Sequence, residues 1–119
     1  MNIYRSFLIA LISTIATSCG FLQIENRKIS EPLTMESVRE KFPGYTLTEH
    51  NAGEGLYKVN CGNCHELHES QSFTEASWSK AIPRMAVKVN KRAGRQLISE
   101  SGEQAIFRYL YARGMNKDD

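Results

Sequence analysis

The sequence is poor in the residues that most often carry chemistry: among 119 residues there are three cysteines, three histidines and one tryptophan. The net charge is only +2, and no basic stripe with interleaved aromatic residues occurs, so nucleic acid is excluded as a partner. No segment shows the polar–apolar alternation of a strand. A chain of this length forms one domain at most. These absences leave a small helical protein in which few positions can support a specific reaction.

Most of that chemistry is concentrated in the pentapeptide CGNCH, from Cys61 to His65. Cys-x-x-Cys-His is read as the attachment motif of a c-type haem. In such a site the thiols of Cys61 and Cys64 bind the haem vinyl groups covalently, and the imidazole of His65 is the proximal iron ligand. Because the motif occurs once, it predicts one covalent haem c.

Two other interpretations of the pentapeptide are less favoured. A closed zinc site needs four ligands, and beyond the motif the chain offers only Cys19, His50 and His68. A thioredoxin-like redox pair follows a strand in a βαβ unit, and no such pattern surrounds the motif. Haem attachment is therefore the expectation.

The first 18 residues are organised like a secretory signal. They have a weakly positive start, an uncharged apolar run over 7–16 and small residues at the end. The apolar run is too short, and too often interrupted by serine and threonine, to predict a membrane span. We interpret residues 1–18 as a signal peptide for export.

Cys19, directly after the small residues, resembles the modified cysteine of bacterial lipoproteins, although Ala16 stands where their motif prefers leucine. The resemblance implies that Cys19 is lipidated and anchors the chain to a membrane of the bacterial cell envelope, facing the periplasm. Gly20, rather than aspartate, favours the outer membrane. Cleavage by an ordinary signal peptidase and an uncleaved anchor are the alternatives.

The mature chain divides by composition near residue 50. Residues 19–50 mix charged and single apolar residues with two prolines, and we interpret them as the lipidated N-terminus and a tether with one short helix over 35–42. Residues 51–119 are predicted to form an all-α domain of three to four helices around the haem. Within it we expect helices over 52–61, from 72 or 74 to about 89 with a kink or break at Pro83, and from Ser99 or Ser101 to Gly114, with a basic loop over 90–95.

The region from Asn51 to Tyr111 resembles the monohaem class I cytochromes c. The resemblance is carried by three stretches: GEGLY at 53–57, the CGNCH motif, and IFRYL at 106–110. It implies that the first and last helices of the domain cross closely. The matching positions at that crossing are Gly53, Tyr57, Tyr109 and Leu110.

The second iron ligand is less strongly indicated than the first. Met85 lies in the segment WSKAIPRM at 78–85, which resembles a subgroup of short bacterial cytochromes whose methionine in an Arg-Met pair binds the iron. The alternative is that Met85 packs in the core at helical spacing from Trp78 and Ile82. Met35 and Met115 lie on the wrong sides of the domain for this family. His50 is a further candidate, whereas His68 is too close to His65 in sequence to reach the opposite haem face.

Two features around the haem stay open. Many class I cytochromes have a proline soon after the motif, whose carbonyl orients the proximal histidine, and residues 66–73 contain none. His65 therefore needs another acceptor, which the sequence does not identify. Arg84, Lys88 and Trp78 are candidates for contact with the haem propionates.

An iron with protein ligands on both faces has no open position for a substrate, so we expect an electron carrier and not an enzyme. Its partners would be redox proteins of the cell envelope, met through small interfaces. One alternative is a haem-bearing relay subunit of a larger oxidoreductase complex. Another is a ligand sensor or small redox enzyme with an open sixth position. The fold class cannot choose between them.

Overall fold

The computed structural model describes residues 32–116, so the predicted signal peptide and lipidated cysteine lie outside the described residues. Four α-helices follow in order: α1 Met35–Lys41, α2 Leu47–Leu56, α3 Glu75–Ala93 and α4 Glu100–Ala112. A π-helical turn, Tyr57–Cys61, continues α2, and a 3-10 turn, Ser70–Ser72, precedes α3. Within 32–116 the only β pairing is an isolated bridge between Thr74 and Asn116. The described chain is therefore all-α, as predicted.

Each helix begins at a hydroxyl side chain that accepts a hydrogen bond from the backbone N–H three residues later. The four capping residues are Thr34, Thr46, Thr74 and Ser99. Thr74 and Ser99 are each one of the two predicted starts, so α3 does not begin at Ser72 and α4 does not begin at Ser101. The stop at Gly114 is confirmed, since this residue has a φ of 86° and its N–H donates to the Tyr111 carbonyl.

Helix α3 is longer than predicted, and Pro83 does not divide it. The Ser79 carbonyl, which has no N–H partner at Pro83, lies at the surface, where water can donate to it. The predicted loop over 90–95 is wrong for its first four residues, which belong to the helix. The helix ends at Gly94, whose φ of 67° is in the left-handed region.

The return from α3 to α4 is organised by Asn90. Its side-chain oxygen accepts from the N–H groups of Leu97 and Ile98, at 2.7 and 2.9 Å, and its amide nitrogen donates to the Ile98 carbonyl at 2.8 Å. The half-buried Asn90 side chain thus provides hydrogen-bond partners for three backbone groups that have no partner within a helix. Because these partners lie seven and eight residues ahead, the pattern was not recognisable from local sequence.

The expected close crossing of the first and last helices of the domain is confirmed. A Cβ added at Gly53 in α2 would lie 2.2 Å from the backbone oxygen of Ala105 in α4, so only glycine permits this approach. One turn further along, the rings of Tyr57 and Tyr109 lie with their centroids 6.1 Å apart. The crossing fixes the direction in which the chain leaves α2 and enters the motif.

The main core lies between α3, α4 and the π turn. Buried apolar side chains there come from all three elements and from the segments next to α4: Tyr57, Trp78, Ile82, Ala86, Ile98, Ile106, Tyr109, Leu110 and Met115. In the part of the chain that the structure describes, no helix combines the length and apolar character that crossing a membrane requires.

Helical packing begins before residue 51, where we expected the domain to start. The short helix predicted over 35–42 is confirmed as α1. Its Val38 packs, together with Tyr45 of the following turn, against Ala112 of α4, and all three residues are buried. The Arg39 side chain donates to the Tyr45 carbonyl at 2.8 Å, which ties the turn after α1 to that helix. Two fully buried apolar side chains explain why this stretch is part of the packed unit and not a tether.

Candidate functional site

A cleft of about 660 Å³ lies between the π turn, the loop that follows it and α3. Its lining includes Cys61, Cys64, His65 and Met85. Three of these come from one pentapeptide, but Met85 lies 20 residues after His65 and on a different element. The fold therefore brings together the four residues that were predicted to attach the haem or to bind its iron.

The two cysteines of the cleft are free thiols in different surroundings. Cys61 is partly buried, and burial raises the pKa of its thiol, with a smaller contribution from Cys64. Cys64 is exposed and accepts a hydrogen bond from the Arg92 guanidinium at 3.1 Å. Both cysteines line the same cleft, and neither forms a disulfide.

The acceptor that orients His65 is the carbonyl oxygen of Glu66, 2.6 Å from Nδ1. Because a carbonyl can only accept, this hydrogen bond places the imidazole proton on Nδ1. The lone pair of the neutral ring is then on Nε2, which is free to bind a metal. Residues 66–73 contain no proline, and the Glu66 carbonyl is the acceptor that His65 Nδ1 has in this structure.

The loop that carries His65 is held by hydrogen bonds from side chains to its backbone carbonyls. The Tyr57 hydroxyl donates to the His68 carbonyl at 2.6 Å, and the Trp78 indole N–H donates to the Ser70 carbonyl at 2.8 Å. The buried Ser70 hydroxyl in turn donates to the Arg113 carbonyl at 2.8 Å. Burial raises the pKa of Tyr57 to about 12, so its hydroxyl remains a donor at neutral pH.

Met85 lies on the face of α3 that is turned towards the cleft. The residues of α3 that enter the core are Trp78, Ile82 and Ala86. Met85 lies next to this stripe and is 39% exposed, so the alternative in which it packs as a core residue has no support. Met115 is the methionine that fills the core, at 6% exposure.

The other two histidines do not line the cleft. His50 lies between Tyr45, whose hydroxyl is 3.0 Å from Nδ1, and Tyr109, whose ring centroid is 5.1 Å away. His68 is exposed and lies beside His65, with ring centroids 5.1 Å apart and ring planes tilted by 41°. Neither histidine is positioned to face His65 across the cleft.

Several lining residues were missed or misassigned from the sequence. Lys88 lines the cleft as expected, but Arg84 does not, and Trp78 is buried with its indole N–H turned to Ser70. Arg92 is the second cation of the cleft, and it was missed because it was assigned to a loop. Had the helix been extended to Ala93, the spacing of four residues between Lys88 and Arg92 would have placed both on one face.

The donor set and the walls of the cleft fit a c-type haem. Two thiols, an imidazole with a free Nε2 and a thioether lie around it, and Val89 and Leu97 add apolar surface. Lys88 and Arg92 are cations of the kind that pair with carboxylates. No group of three or more His, Cys, Asp or Glu residues in 32–116 is placed to hold a metal ion, so these residues present no closed zinc site.

Comparison of the chain with protein-family models, with curated proteins and with solved structures finds no match.

Proposed function

We propose that the protein is a single-electron carrier that holds one covalent haem c, with His65 and Met85 as the iron ligands. The observation that carries this proposal is the cleft in which both thiols of the motif, its histidine and the distant Met85 lie together. The motif predicts a haem on its own, but the convergence of a thioether from another element is an independent feature.

The chain's own residues would have separate tasks at this site. Cys61 and Cys64 would hold the group covalently, and His65, whose Nδ1 is hydrogen-bonded to the Glu66 carbonyl, would bind the iron through Nε2. Met85 would supply a soft thioether ligand, which favours reduced iron. When bound, a haem c supplies one-electron exchange between ferric and ferrous iron. Val89 and Leu97 would exclude water from the cleft.

Two protein ligands to the iron, His65 and Met85, would leave no open position for a substrate, which favours a carrier over an enzyme or a ligand sensor. Met85 sits on a regular helix of 19 residues, and His65 sits on a loop fixed by hydrogen bonds. Small movement of these two elements between the oxidised and reduced states would keep the reorganisation energy low. We further propose that Cys19 is lipidated, and that the protein works at the periplasmic face of a bacterial envelope membrane with redox proteins as partners.

The test is an absorption spectrum of the purified full-length protein in both redox states, with and without carbon monoxide. We expect covalent haem, a weak far-red methionine–iron band in the oxidised protein, and little carbon monoxide binding after reduction. In Met85→Ala the far-red band should disappear and carbon monoxide should bind readily.

Met115→Ala is the matched control, because it removes a buried methionine outside the cleft. It should cost roughly 2–5 kcal/mol of stability but leave the far-red band in place. A band that survives in Met85→Ala would refute the ligand assignment. Protein expressed with the haem maturation machinery but lacking covalent haem would refute the proposed function as a whole.

A further inference from the structure

A polar side chain is buried directly before the first cysteine of the motif. Asn60 is only 7% exposed, and it lines the cleft beside Cys61. Apart from tyrosine and tryptophan, the only buried polar side chains of residues 32–116 are those of Asn60 and Ser70. Burying a polar group costs free energy unless the group is hydrogen-bonded, so the position of Asn60 requires a structural or functional reason.

The Asn60 side chain is hydrogen-bonded to the last carbonyl of α2. Its Nδ2 donates to the Leu56 carbonyl oxygen at 2.9 Å. In a continuous α-helix this carbonyl would accept from the backbone N–H of residue 60, four residues later. A π turn instead pairs carbonyls with the N–H groups five residues later, which adds one residue to the turn. The side-chain amide of Asn60 therefore supplies a donor at the four-residue spacing while the backbone follows the wider turn.

The wider turn sets the direction in which the motif leaves α2. It covers Tyr57–Cys61, so its last residue is the first cysteine of the motif. One extra residue in a helix of 3.6 residues per turn corresponds to a rotation of roughly 100° about the helix axis. Cys61, Cys64 and His65 therefore face a different side of the molecule than they would after an uninterrupted α-helix.

The opposite wall of the cleft is fixed by apolar packing. Met85 lies on α3, which is held against the core by Trp78, Ile82 and Ala86. Close-packed side chains resist the displacement of a whole helix. The placement of the motif relative to Met85 therefore depends on the π turn.

We propose that Asn60 is a positioning residue for the haem: its side-chain amide holds the π turn, which keeps the iron bound by His65 within reach of Met85. This inference rests on the haem-carrying function proposed above. Without the Nδ2 donor, the Leu56 carbonyl loses a partly buried hydrogen bond, and the turn opens locally more often. Each opening would move the motif relative to α3 and free the position that Met85 occupies on the iron.

The test is the rate at which carbon monoxide binds to the reduced full-length holoprotein, together with backbone hydrogen exchange in the π turn. In Asn60→Ala we expect carbon monoxide to bind about fivefold faster, the factor by which the loss of one hydrogen bond raises a locally open population. Exchange in the turn should rise by a similar factor, while exchange in α3 stays unchanged. Asn60→Ser should restore both rates, since a serine hydroxyl can donate to the carbonyl four residues before it.

Two control variants separate positioning from overall stability. Val59→Ala shortens an exposed side chain of the same turn and should change neither rate. Met115→Ala removes a buried methionine outside the cleft and should leave carbon monoxide binding at the wild-type rate. The proposal would be overturned if Asn60→Ala bound carbon monoxide at the wild-type rate. It would also be overturned if Asn60→Ser were as fast as Asn60→Ala, or if Met115→Ala were accelerated equally.

Asn60→Asp provides the same test if Asn60→Ala yields too little folded holoprotein. An ionised aspartate has nearly the size of asparagine but no donor, so we expect the same acceleration. Wild-type protein without covalent haem would refute the proposed function. Unchanged rates in the haem-bearing Asn60→Ala or Asn60→Asp protein would refute only the role of Asn60.

Discussion

The two sides of the candidate haem cleft are held in place by different kinds of interaction. On the His65 side the residues lie in a loop without regular structure, and their positions depend on hydrogen bonds to Tyr57 and Trp78. On the Met85 side a single regular helix carries the residues, and its buried stripe holds it in place. Hydrogen bonds fix individual backbone carbonyls of the loop, whereas apolar packing fixes one whole face of α3.

Because of this difference, we expect mutations on the two sides to destabilise the structure in different ways. A loop held by a few hydrogen bonds loosens locally when one donor is lost, because its carbonyl is then left unpaired. A packed helix transmits a defect along its length, or to the connection that holds its end. Variants on one side or the other therefore test whether the two sides respond independently.

The largest effect should come from Gly53→Ala, which disrupts the crossing of α2 and α4 on which both sides of the cleft depend. The added Cβ would lie 2.2 Å from the Ala105 oxygen, so α2 and α4 must separate. We expect a loss of about 3 kcal/mol in unfolding free energy, measured by denaturant titration. Gly55→Ala is the control in the same helix, because no atom lies within 4 Å of its added Cβ. It should stabilise the protein by up to about 1 kcal/mol, and an equal loss in both variants would contradict the close crossing.

A smaller effect, confined to the Met85 side, is expected for Asn90→Ala. The change removes three hydrogen bonds that tie the end of α3 to Leu97 and Ile98. We expect a loss of about 2 kcal/mol and faster hydrogen exchange in the last turns of α3. Gln96→Ala, at an exposed position in the same connection, should change the stability by less than about 0.5 kcal/mol. If exchange rose equally in the loop that carries His65, the two sides would not be independent.

The smallest effect should be that of Tyr57→Phe, which acts on the His65 side alone. It removes the hydroxyl that donates to the His68 carbonyl and keeps the buried ring. We expect a loss of about 1 kcal/mol, with faster hydrogen exchange between His65 and Phe73 and no change in α3. Tyr109→Phe is the control, since its hydroxyl makes only a 3.4 Å contact with Glu54. A loop that is unaffected in Tyr57→Phe would show that the ring, and not the hydroxyl, holds it.

The parts of the fold that were predictable are those determined by neighbouring residues. Helix α1 and the stop at Gly114 follow from side-chain spacing and backbone freedom over a few residues. The starts of α3 and α4 were each narrowed to two hydroxyl residues, of which Thr74 and Ser99 form the caps. The errors lie where distant contacts decide. Val38 and Tyr45 are buried only because α4 packs against them, so the packed unit begins before residue 51. Asn90 lies within α3, and not in the predicted loop, because its hydrogen-bond partners, Leu97 and Ile98, come after the end of the helix.

The same division holds within the candidate site. Cys61, Cys64 and His65 are adjacent in sequence, so the pentapeptide by itself predicted a haem and its proximal ligand. Which carbonyl orients His65, whether Met85 faces the cleft or the core, and which cations reach the cleft depended on how α3 packs beside the π turn. Spacing along a chain determines what one segment can present, whereas the relative placement of two segments is decided by the side chains buried between them.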